Sequence, residues 1–167
     1  MRSAIAAAAA LWLPAVLAAQ QPPADCTAPE HRQFDFWVGD WAVTDSTGTK
    51  PYGTNVITLE EGGCLLRERW TAAGGGTGQS MNFYDRQRGQ WEQLWVAKGG
   101  SILRLAGRLE GNRMVLGGDS RTLAGAMIRN QVTWSPEPDG RVRQLWTTST
   151  DGGKTWKAGF DGWYRRR

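Results

Sequence analysis

After Phe34 the chain alternates apolar and polar positions in short segments, and glycine, asparagine or aspartate interrupts the alternation at fairly even intervals. Period-two alternation marks β-strands with one face toward a core, because successive side chains leave a strand on opposite sides. Ten strands are predicted: Trp37–Thr44, Thr54–Glu61, Cys64–Ala72, Gln79–Asp85, Gln90–Ala97, Ile102–Glu110, Arg113–Asp119, Ala126–Ser135, Arg141–Thr148 and Thr155–Arg165. Their connections include Glu61-Gly-Gly-Cys64, Arg86-Gln-Arg-Gly89, Gly111-Asn112, Pro138-Asp-Gly140 and Asp151-Gly-Gly153. Each supplies a residue that tolerates positive φ in a tight turn. Ahead of the strands, Ala28–Phe34 predicts one short helical turn plugging an end of the fold.

Strands joined in succession by tight turns pair antiparallel, so the simplest topology is a meander. An open meander leaves two unpaired edges, and closure into a barrel removes both. The expected fold is therefore all-β: an antiparallel meander barrel of about ten strands with a short N-terminal helical turn.

Parity then sorts side chains into faces. In the third strand Leu66, Glu68 and Trp70 share one face, and Arg67 and Arg69 the other. The fifth groups Trp91, Gln93 and Trp95; the eighth Ile128, Asn130, Val132 and Trp134; the ninth Val142, Gln144 and Trp146; the tenth Trp156, Ala158, Phe160 and Tyr164. Four inward stripes thus carry one polar residue among apolar neighbours, namely Glu68, Gln93, Asn130 and Gln144. Burying such a group without a partner costs roughly 1–3 kcal/mol, so a dry core rarely holds four. An apolar cavity with a few convergent polar groups accommodates them and is the usual form of a small-molecule site. Barrels of this size can enclose a ligand. The candidate ligand-binding residues are accordingly Glu68, Trp70, Trp91, Gln93, Trp95, Asn130, Gln144 and Trp146. The competing reading is a filled interior in which these groups bond one another or trapped water.

The first residues, MRSAIAAAAALWLPAVLAAQ, combine a positive start at Arg2, an apolar run from Ala4 to Leu17 and small residues at Ala18 and Ala19. That is the pattern of a cleaved export signal. The run is shorter than the roughly 20 apolar residues a membrane anchor needs, and Pro14 breaks it. The implied division is a signal peptide over 1–19, a lead segment over 20–27 and one barrel domain over 28–167, with a secreted or periplasmic location and no stable membrane anchor. In an oxidising compartment Cys26 and Cys64 are expected to form a disulfide. Closing that loop restrains the unfolded chain by about 4 kcal/mol on chain-entropy grounds.

Composition narrows the function classes. About 148 residues remain after cleavage, enough for one cored domain, and nine of the ten tryptophans lie in that part. The formal charge of +4 is small and unclustered, which speaks against nucleic acid. The basic run Arg165–Arg167 reads as a solvated tail. No histidine, cysteine or carboxylate cluster recurs at strand spacing, so no metal site is expected. A nucleophilic triad needs a base beside the nucleophile, and the single histidine, His31, precedes the strands and reads as a surface or capping residue.

The segment Phe34–Trp41 reads FDFWVGDW; GGC follows at 62–64, MNFYD at 81–85, WEQLWV at 91–96 and FDGWY at 160–164. Taken together these resemble a family of small, often exported bacterial domains of unknown function that begin with an FDFW-x-G-x-W opening. The resemblance spans nearly the whole mature chain. It implies a ten-stranded, calycin-like barrel related in shape to fatty-acid-binding proteins and nitrobindin-type haem barrels. Nitrobindin-like proteins hold iron through a histidine late in the barrel, a position with no counterpart here, so haem is not expected. Phe34, Phe36, Trp37 and Trp41 read as plug and first-strand packing, with Gly39 permitting a bend between them. Separately, Ser149-Thr-Asp-Gly-Gly-Lys-Thr-Trp156 is similar to the Asp-box of sialidase-like propellers, where it forms a hairpin turn. A propeller needs several copies, and the single one here is expected to turn the chain between the last two strands.

Three functions follow as expectations. The first is a binder of a small apolar or amphipathic molecule inside the barrel. The second is a structural or protein-interaction module of the envelope, which would display tryptophans in an outer patch. The third is a carboxylate enzyme using Glu68, its pKa raised by apolar surroundings, with Asp85 or Glu92 as second carboxylate. Ligand identity and oligomeric state are not encoded legibly.

Overall fold

In the computed structural model, which describes residues 26–167, a helical turn α1 (Pro29–Arg32) and a 3-10 turn (Asp35–Trp37) lead into ten strands. These are β1 (Gly39–Thr44), β2 (Pro51–Glu60), β3 (Leu65–Ala72), β4 (Thr77–Asp85), β5 (Gln90–Ala97), β6 (Ile102–Glu110), β7 (Arg113–Arg121), β8 (Met127–Pro136), β9 (Val142–Ser149) and β10 (Lys157–Arg166). Each pairs antiparallel with its sequence neighbour, and β1 also pairs with β10, so the meander closes into a barrel. The predicted fold class holds. The leader over 1–19 and most of the lead segment over 20–27 lie outside the described residues.

Two differences from the sequence reading concern β1 and β10. Trp37 belongs to the 3-10 turn, and the first strand starts at Gly39. In β10 the register shifts between Ala158 and Phe160, leaving Gly159 as an extra residue. A bulge of one residue inverts every side chain on one side of it. Phe160 and Tyr164 therefore face inward as predicted and Ala158, before the bulge, is exposed. Trp156 lies ahead of the strand in the turn, where its indole donates to the Gly153 carbonyl, and is exposed too. The Arg165–Arg167 run is solvent-exposed as read from the sequence, but it is part of the sheet rather than a tail. Arg165 and Arg166 are ladder residues of β10, the Arg166 guanidinium lies 4.4 Å from the centre of the Trp41 ring, and Arg167 pairs with Asp40 at 3.5 Å.

The two ends of the barrel differ. One carries the tight connections β2–β3, β4–β5, β6–β7 and β8–β9, and is stoppered by the N-terminal lead. Phe34 inserts its ring between Trp37 (5.0 Å, stacked), Trp91 (5.6 Å) and Trp134 (5.2 Å), all four fully or almost fully buried. Trp41 donates its indole N–H to the Trp37 carbonyl at 2.9 Å. Leu66, Met114 and Leu116 complete this packed half. Burying each large apolar side chain contributes roughly 1.5–3 kcal/mol, and each edge or stacked aromatic pair about 0.5–1.5 more. The plug is tied down twice. Cys26 and Cys64 form the predicted disulfide, and Arg32 donates to the Gly63 carbonyl at 2.9 Å. The opposite end, called the mouth below, carries the remaining hairpin loops.

The last of these, between β9 and β10, is the Asp-box segment in its predicted role. Asp151 accepts from the Lys154 and Thr155 amides and from the Ser149 and Thr155 hydroxyls. Those four donors hold its carboxyl far below the usual range.

Candidate functional site

The mouth half of the interior is hollow. A cavity of about 250 Å³ is walled by Trp70 of β3, Trp95 of β5, Leu103 of β6, Trp146 of β9 and Phe160 of β10. Below them, nearer mid-strand, lie Glu68, Gln93, Val132, Gln144 and Tyr164. Glycines make room for the wall rings. A Cβ on Gly78 would sit 2.3 Å from the Trp95 ring, and one on Gly162 would sit 2.4 Å from the Phe160 ring. Trp70 and Phe160 meet edge to face at 6.1 Å, and Tyr52 packs on Phe160 at 5.5 Å.

The polar floor is one hydrogen-bonded chain running around the wall. Gln93 donates to Asn82 Oδ1 (2.7 Å), Asn82 to Ser80 Oγ (2.8 Å), and Ser80 to Glu68 Oε2 (2.5 Å). From the other side Asn55 donates to Glu68 Oε1 (2.7 Å) and to the Tyr164 hydroxyl (3.3 Å), which in turn donates to Gln144. β5, β4, β3, β2, β10 and β9 each contribute to this chain, and its donors converge on Glu68 from both sides. With only 4% of its surface exposed, Glu68 is costly to ionise; burial pushes its carboxyl up to about 7, although the Ser80 and Asn55 hydrogen bonds pull the other way. Tyr164 is raised well above the ordinary phenol value by its own burial and then by the Glu68 charge.

Six of the eight candidate binding residues, Glu68, Trp70, Gln93, Trp95, Gln144 and Trp146, thus line one cavity. Two do not. Trp91 shares its strand face with Gln93 and Trp95 but lies in the plugged half, where its indole donates to Gln33 at 3.1 Å and its ring meets Phe34 and Tyr84. Parity assigns a face but not a depth, and depth separates these two residues of one stripe. Asn130 sits behind the wall: it accepts from the Trp146 indole at 3.1 Å and donates to Ser120 at 2.9 Å, so it positions Trp146.

Asn55, Ser80, Asn82 and Tyr164 belong to the floor but were not among the candidates. For Ser80 and Asn82 the signal was present in β4, where Gly78, Ser80 and Asn82 put three small or polar residues in a row on the inner face. A core-facing stripe without apolar side chains needs a polar partner strand, and that partner is the Glu68 face of β3.

His31 is not a surface residue. It lies on the buried side of α1 within the plug, 3% exposed, packs edge-on to Tyr84 at 5.4 Å, and accepts the Arg86 Nε–H at Nε2 (2.9 Å). Burial, then the Arg86 and Arg32 charges, lower its pKa and favour the neutral acceptor form. Asp85 and Glu92, the candidate second carboxylates, pair with Arg88 outside the cavity. Among the described residues no group of three or more His, Cys, Asp or Glu side chains is placed to hold a metal ion.

The geometry defines a class: a closed ten-stranded antiparallel barrel, plugged at one end and hollow at the other, with a buried acid at the cavity floor. No protein family and no curated protein matches the chain, so the FDFW-x-G-x-W resemblance rests on its own residues.

Proposed function

We propose that the protein is an exported binder of a small apolar or amphipathic molecule, taken in through the mouth and held between the aromatic walls and the polar floor. The observation that carries this is the cavity itself, about 250 Å³ with apolar walls and a hydrogen-bonded floor. By proportion to a 150 Å³ cavity that takes benzene, it suits a ligand of roughly ten non-hydrogen atoms. Export is supported by the leader-like first 19 residues and by the Cys26–Cys64 disulfide. The envelope-module alternative loses its main support, because Trp156 is the only tryptophan among the large exposed apolar side chains of the described residues.

Native mass spectrometry on protein drawn from its own envelope tests the binder. A ligand adduct is expected on the wild type and lost in Leu103→Trp, whose indole would fill the mouth. An apo mass under every growth condition would sink the proposal. One observation keeps a second reading in play: an acid with a pKa near 7 on a cavity floor is tuned for proton transfer near neutral pH. If the protein turns over a ligand, Glu68→Gln abolishes that turnover; turnover that survives the change rules Glu68 out as the acid or base.

A further inference from the structure

The cavity is lined by one carboxyl group and no basic side chain. Its lining includes neither Lys, Arg nor His, and the basic residues flanking Glu68 in sequence, Arg67 and Arg69, point to the outer surface, where both pair with Glu60. A carboxylate-headed ligand, such as a fatty acid, would meet Glu68 and the electron-rich faces of Trp70, Trp95, Trp146 and Phe160 with nothing to neutralise it. A positive head meets the reverse. Aromatic faces attract a desolvated cation through their quadrupoles, tryptophan most strongly, and a buried carboxylate supplies the counter-charge.

We propose that the cavity recognises a small organic cation, an ammonium-bearing molecule of about ten non-hydrogen atoms whose charged head lies among the tryptophan rings above the Glu68 carboxyl. This rests on the cavity being a ligand site. Each Glu68 oxygen already accepts one hydrogen bond, from Asn55 or Ser80, and keeps a further lone pair for the ligand. The groups facing Glu68 from the surrounding strands are Asn55 (β2), Ser80 (β4), Gln93 (β5), Gln144 (β9) and Tyr164 (β10). Only Tyr164 among them titrates, and it does so far above neutral pH. Binding a cation therefore favours the ionised form of Glu68 and expels its proton.

The test titrates wild-type protein with choline, its uncharged isostere 3,3-dimethylbutan-1-ol, and hexanoate, followed by calorimetry in buffers of different ionisation enthalpy. Choline is expected to bind at least about tenfold more tightly than the isostere, with hexanoate weakest. Choline binding at pH 6 releases close to one proton, and Glu68→Gln abolishes both the release and most of the charge preference. Because the three-probe comparison uses the wild type, it decides the matter even if the variant does not fold. Equal or tighter binding of the alcohol, or a preference for hexanoate, overturns the cation assignment and leaves the cavity as a binding site. No binding of choline at millimolar concentration likewise overturns the cation assignment, whereas the binder reading itself falls only with an apo mass in the native spectrum.

Discussion

At the scale of single residues, Glu68 links the site to the stability of the fold. Its folded pKa of about 7 exceeds the ordinary carboxyl value of 4.5, so between those values the folded state holds a proton that the unfolded chain has released. Stability is then unpenalised below about pH 4.5, falls as pH rises toward 7, and levels off above it, by about 3 kcal/mol in total. Urea midpoints measured from pH 4.5 to 8 are expected to trace that decline, and Glu68→Gln to flatten it and to exceed the wild type at pH 8. His31, whose neutral form the fold favours, works in the opposite direction as pH rises toward 6.5, so the Glu68 contribution is read as the difference between wild type and Glu68→Gln. A difference that grows in favour of the wild type over this interval would show that the carboxyl is stabilised in its charged form. Glu68, Gln93 and Gln144 were legible in the sequence because each is a lone polar residue in an aromatic stripe. Asn55 was not, since what marks it is the neighbouring strand, and placing it beside Trp70 and the Glu68 carboxyl requires the register of β2 and β3.

At the scale of elements, the sequence located all ten strands to within a few residues, because glycine turns and period-two alternation are local signals. It misread the start of β10 because a bulge leaves no mark on alternation until the partner strand is known. Gly159 restores inward aim to Phe160 after the outward Ala158, and without it the cavity would lose one aromatic wall. Close approach matters as much on β4, where Gly78 lies under the Trp95 ring. In Gly78→Ala the new methyl must displace that ring, a small-to-large change costing about 1–3 kcal/mol. Denaturant unfolding should show that loss together with a shift in tryptophan emission and weaker ligand binding. If stability and emission both match the wild type, Trp95 does not rest on Gly78.

At the scale of the whole molecule, the barrel divides its labour: one half is filled by the plug and gives rigidity, and the other is left open for a ligand. A single sheet wall runs through both, so the plug must be held without aid from the hollow half. The aromatic cluster around Phe34 supplies contact, but the lead offers only one helical turn and a 3-10 turn, too short to be stable alone. The Cys26–Cys64 bridge, spanning 38 residues that include the plug, β1 and β2, supplies the tether. Replacing both cysteines by serine is expected to lower stability by about 4 kcal/mol if the bridge acts by restraining the unfolded chain. Local opening gives a sharper readout than the global figure. Hydrogen exchange should lose protection first at the amides of Trp37 and Val38, which bond back to Phe34 and Asp35, before the mouth-side part of the β4–β5 ladder, Gly78 to Ser80 against Trp95 to Ala97, responds. Equal loss across both halves would mean that plug and cavity unfold as one unit. An unchanged midpoint with a protected plug would mean that the Phe34 cluster and the Arg32–Gly63 bond suffice without the bridge.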